Sequence, residues 1–98
     1  MPSTPGYLRE VQPTKLEFQF DGGKELTVKL NLPLFGLEQT PVTLEYNSPD
    51  QLHSGQPVRG IIQGTSWTLD IGTDVKIIGH QSQPSDMQPV DGLATWKD

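Results

Sequence analysis

The side chains able to do chemistry are few and scattered. Two histidines, His53 and His80, and three aspartates, Asp50, Asp70 and Asp74, are the candidate metal ligands. A zinc site needs three or four nitrogen, sulfur or oxygen ligands closing on one point. The histidines stand far apart in the chain, and no carboxylate pair repeats at a ligand spacing. Surface histidines in loops are the expectation, with no metal. Nucleophile candidates fare no better. Ser54 lies beside His53, and Ser66 lies near Asp70. Neither serine sits in a nucleophile-elbow sequence, and adjacent residues on a strand point to opposite faces. Catalysis also needs a concave site with shifted pKa values, and a chain this short builds few core layers. The sequence therefore predicts no enzyme, no catalytic residue and no cofactor.

The 98 residues leave room for one domain. Ten glycines and nine prolines stand against a hydrophobic share of 33%, low for a globular chain. The cause is uneven distribution: the ends are rich in proline and glutamine, and apolar residues concentrate between Leu16 and Ile78. The net charge of −5 is spread thinly along the chain. With no basic cluster, binding to a phosphate backbone lacks an electrostatic driver, and the acids are too dilute to mimic a nucleic acid. The bland reading is a charge that aids solubility. The chain has no cysteine, which excludes disulfides, thiolate metal sites and cysteine nucleophiles. MPSTPGYLRE has neither a positive nor an apolar signal region, and no apolar run approaches the ~18 residues of a membrane span. A cytoplasmic protein without membrane contact is expected.

The elements that must position any site are strands. Leu16, Phe18 and Phe20 alternate with polar residues, and so do Leu26, Val28, Leu30 and Leu32. Period two on both sides of Asp21-Gly22-Gly23-Lys24 predicts a hairpin. Pro33 ends its second strand. The connector LPLFGLEQTP (residues 32–41) is expected to tuck Leu34, Phe35 and Leu37 under the sheet, or else to present them to a partner. Val42, Leu44 and Tyr46 mark a third strand, and residues 47–57 read as a turn-rich loop. Three short strands are expected over residues 58–63, 67–71 and 75–78, with a turn at Gly64-Thr65-Ser66 and Gly60 at a bend or bulge. Six strands with tight turns predict an all-β domain over residues 15–79. A small antiparallel barrel of SH3-like or OB-like size is favoured, with a β-sandwich as the alternative. Residues 1–14 are expected as an extended arm and residues 80–98 as a flexible acidic tail. In that tail Val90, Leu93 and Trp96 recur every third residue, which one or two helical turns would line up.

The run from Gly60 to Gly79 carries Gly60, Ile62, Leu69, Gly72, Val75, Ile77 and Gly79 in the order glycine, hairpin, apolar-x-x-Gly, alternating apolar residues, glycine. In this it resembles a segment of the second domain of translational GTPases. The resemblance covers residues 60–79 and implies a barrel. The chain holds no GxxxxGK[ST] sequence, so nucleotide hydrolysis is not carried over. Tight turns need glycine and buried faces need alternation, so small barrels converge on such a pattern.

What remains is binding. Trp96, close to the end of the sequence, is expected either to cap the barrel or to anchor in a partner. The favoured expectation is a non-enzymatic protein-binding or assembly module, an accessory subunit of a larger complex. Its contact residues would be Phe35 and Leu37 in the connector and Leu93 and Trp96 in the tail. A nucleic-acid-binding barrel is the second reading, using Tyr46, Arg59 and Trp67. The alternation that buries Leu69 and Ile71 puts Trp67 on their side, which favours a core role for it. The third reading is a structural subunit of a symmetric, phage-like assembly, oligomerising through strand edges.

Overall fold

The computed structural model describes residues 3–47, 52, 54–72 and 74–97, with Ser85 described by its backbone alone. Six strands follow one another: β1 (Ser3–Gln12), β2 (Lys15–Phe20), β3 (Glu25–Leu30), β4 (Pro41–Glu45), β5 (Gln56–Ile71) and β6 (Val75–Lys97). All pairings are antiparallel, in the order β3-β2-β1-β4-β6-β5, and an added β3–β6 pairing closes the barrel. No helix occurs among the described residues.

The β2–β3 hairpin forms as its alternation requires. Both strands bury every second residue. Gly22 and Gly23 turn the chain at φ 90° and 89°, values that L side chains rarely adopt. β4 likewise buries Val42 and Leu44.

Residues 3–12 are not an arm. They form β1, paired with β4 through Ser3–Tyr7 and with β2 through Gly6–Gln12. The alternation signal is absent because Leu8 is the one side chain of this strand that is fully buried. A bulge between Leu8 and Glu10 disturbs the period further. Gly6 contributes by absence: the Phe20 ring lies where a Cβ would stand.

Residues 80–97 are not a flexible tail. They complete β6, whose two ends do different work. Lys76–Gly79 pair with β4, and Gly92–Lys97 pair with β3. β5 runs along the other edge of both segments. The strands expected over 58–63 and 67–71 are two halves of one bent strand. Register shifts between Ile62 and Ser66 make the bend, with Gly64 at φ 67°. The halves of β5 thereby meet: Gly72 N donates to Pro57 O at 2.8 Å. A Cβ on Gly60 would come within 2.5 Å of the Thr68 carbonyl oxygen. In strand conformation Val90 and Trp96 turn inward while Leu93 turns outward, so the helical line-up expected of them does not form.

One apolar cluster fills the barrel. Phe18 stacks on Phe20 at 6.1 Å and meets Trp67 edge-on at 6.4 Å. Trp96 leans on Phe20 at 6.0 Å. Each large side chain so buried contributes about 1.5–3 kcal/mol.

Candidate functional site

The connector crosses from β3 to β4 along the stretch of β6 that neither strand reaches. Asn31 N donates to Asp91 O at 2.8 Å. Gln88 then clamps the Phe35 backbone from both sides: Phe35 N donates to its Oε1 at 2.9 Å, and its Nε2 donates to Phe35 O at 2.6 Å. Glu38 receives the Ser82 amide at 3.1 Å and the Ser82 hydroxyl at 3.0 Å. Thr40 Oγ1 donates to the His80 carbonyl. The connector is a strap sealing a strand edge that would otherwise be open to pairing.

The strap divides its apolar residues. Leu34 is buried and Leu37 packs partly against the core, but Phe35 is 64% exposed. The expected tucking therefore holds for Leu34 and partly for Leu37, and not for Phe35. A cleft of about 480 Å³ opens beside the ring, lined by Phe35, Gly36, Pro84, Asp86 and Gln88.

The outward face of the β5–β6 ribbon carries three further exposed apolar side chains, while Tyr7 and Leu32 are exposed elsewhere. Pro57 faces Leu93, Arg59 faces Asp91 and Ile61 faces Pro89. Partners in register point to the same side of a sheet, and Val58, Ile62 and Val90 between them are buried. Ile61 is 55% exposed, Leu93 52% and Met87 65%. Met87 lies two residues beyond Pro89 on the same strand. Arg59 makes no ion pair or hydrogen bond among the described residues. Sequence reasoning named Phe35, Leu93 and Arg59 but missed Ile61 and Met87. The Ile61–Ile62 doublet held a signal, since only one of two adjacent strand residues can face the core. Met87 sits in a polar run and gave none.

Trp96 is no free anchor. Its backbone N–H donates to Ser54 Oγ at 2.9 Å, and its ring packs against the core. Trp67 is 3% exposed and Tyr46 packs partly against the core, so these two and Arg59 form no open stacking face. The indole nitrogens of both tryptophans are buried without a hydrogen-bond partner among the described residues.

Of the residues weighed as metal ligands, Asp50 and His53 lie outside the described residues. Among the described residues no three histidine, cysteine or acidic side chains gather. No helix among them is long and apolar enough to cross a membrane. The exposed charges gather elsewhere, on the outer face of β1 to β3. Arg9 reaches Glu25 at 3.2 Å and Glu17 at 3.8 Å, and Lys15 reaches Glu17 at 3.4 Å. A hydrogen bond with Glu10, then the charge of Lys15 and that of Arg9, hold the Glu17 carboxyl below its ordinary range.

Comparison with family models, with curated proteins and with solved structures found no match for this chain.

Proposed function

We propose that this protein is a non-enzymatic assembly module that binds a protein partner through the outward face of its β5–β6 ribbon. The observation that carries this reading is the grouping of exposed apolar side chains. Ile61, Leu93 and Met87 share that ribbon, and Phe35 is pinned to Gln88 at its edge. Large apolar side chains gathered on one surface mark interfaces more often than chance, and an unpaired arginine among them is a favoured contact residue. Leu37 and Trp96 take no part in this contact, because both are spent on the core.

The test is position-specific crosslinking in cells that make the protein. A photoreactive phenylalanine is placed at Ile61, Leu93 or Phe35, and at Asp70 as an exposed control. A discrete adduct from the first three and none from Asp70 is expected, and the pair Ile61→Ser with Met87→Ser should abolish the adduct from Leu93. No adduct, or equal adducts at Asp70, would overturn the reading.

A further inference from the structure

We infer that the partner on this face includes a second copy of the same chain, joined about a two-fold axis. The inference rests on the reading of the ribbon face as a docking surface and adds the occupant. Its warrant is the charge pattern. The central rung places Arg59 opposite Asp91. Apolar rungs flank it, Pro57 with Leu93 on one side and Ile61 with Pro89 on the other. A two-fold axis lying in the interface, parallel to the strands and over the middle of the central rung, sets the Arg59 of one copy on the Asp91 of the other, twice. The same operation lays Ile61 of each copy on Pro89 of the other, and Pro57 on Leu93. Such an isologous contact requires a surface complementary to itself, and this stripe has both the alternation of sign and the apolar match.

Net charge points the same way. Two copies of a chain of charge −5 repel, least where their facing surfaces are neutral, and the central rung holds one charge of each sign. Arg59 also lacks a partner among the described residues. Among the described residues the Asp91 side chain is held by the Asn31 amide alone, at 3.4 Å, and stays half-buried at the surface. The area is modest. Three rungs at ~3.3 Å per residue span less than 20 Å, short of the roughly 800 Å² per partner of a standard interface. The dimer is therefore weak, with a dissociation constant on the order of tens to hundreds of micromolar.

The experiment is sedimentation equilibrium of the purified chain and its charge variants up to about 1 mM. The wild type should show a monomer–dimer equilibrium. Arg59→Asp and Asp91→Arg should each associate at least about tenfold more weakly, since each puts like charges together. An equal mixture of the two should associate again, because every contact then pairs opposite signs. The double variant R59D/D91R, which keeps one charge of each sign on the rung, should dimerise like the wild type and melt like it. A wild type monomeric throughout, single variants that dimerise unchanged, or a mixture no better than its components would each overturn the inference. A monomeric wild type together with specific crosslinks from Ile61 in cells would remove the second copy while leaving the docking surface. Absence of both would remove the two together.

Discussion

Trp67 and Gly79 face each other across the β5–β6 ladder, and the indole ring occupies the space where any other residue would carry its Cβ. The ring is 3% exposed and touches Phe18 edge-on, so it has nowhere to retreat. Gly79→Ala should therefore destabilise by about 1–3 kcal/mol through overpacking. For a chain of this size that lowers the melting temperature by about 4–8 °C per kcal/mol. Calorimetry reads it directly. An unchanged melt would mean that the ring moves freely.

Trp96 belongs to the barrel wall. Trp96→Ala should cost about 3 kcal/mol, the low end for a tryptophan because the ring is only partly buried. Urea denaturation measures the loss. In ¹⁵N relaxation its indole signal should be as rigid as that of Trp67.

Deleting residues 80–98 removes the β3–β6 pairing and the greater part of the β5–β6 ladder. It also exposes Phe20, which Trp96 covers. The shortened chain should show no cooperative thermal transition. A sharp one would mean that residues 3–79 fold without their closing strand.

Glu17 gives the fold an acid-sensitive element. A carboxyl whose folded pKa lies below its unfolded one stabilises fully above the unfolded value, and the contribution fades as pH falls through the folded value. The window thus opens at the ordinary 4.5 and runs downward. The stability difference between wild type and Glu17→Gln should be flat near neutrality and shrink as the solution is acidified below that point. Because the half-buried carboxyl still reaches solvent, salt should shrink it too. Urea midpoints across pH test this, and a difference that grows on acidification would contradict it.

Gln88→Ala should free the strap without unfolding the barrel, since it removes two hydrogen bonds to Phe35 and no core side chain. Amide exchange at Phe35 should quicken while the core strands keep their protection.

The strands with a strict period of two were legible, because half-burial writes itself into alternation. Leu16, Phe18 and Phe20 reveal β2 on sight. β1 was not legible: a strand that fully buries Leu8 alone, with Val11 only partly packed on the core, spells no period of two. The last stretch failed for a related reason. Its inward residues include Ala94 and Gly92, where the Lys29 carbonyl of β3 stands in the place of a Cβ, and small residues read as polar linker. The candidate site was half legible. Phe35 stood out within the apolar connector and Leu93 within the otherwise polar last stretch. Their neighbours Ile61 and Met87 became visible only once the register placed Ile61 opposite Pro89.

The partnership of Glu25 with Lys97 and Leu26 with Trp96 sets a schedule for biosynthesis. A chain leaving the ribosome can form the β2–β3 hairpin early, but the ring has no last stave until residues 92–97 emerge. Until then Phe18, Phe20 and the inner face of β3 wait in solvent. Contacts so distant in sequence also form slowly. The nascent chain therefore has a period of exposure that ends with translation of this segment, and a chaperone that shields apolar strands would act within it.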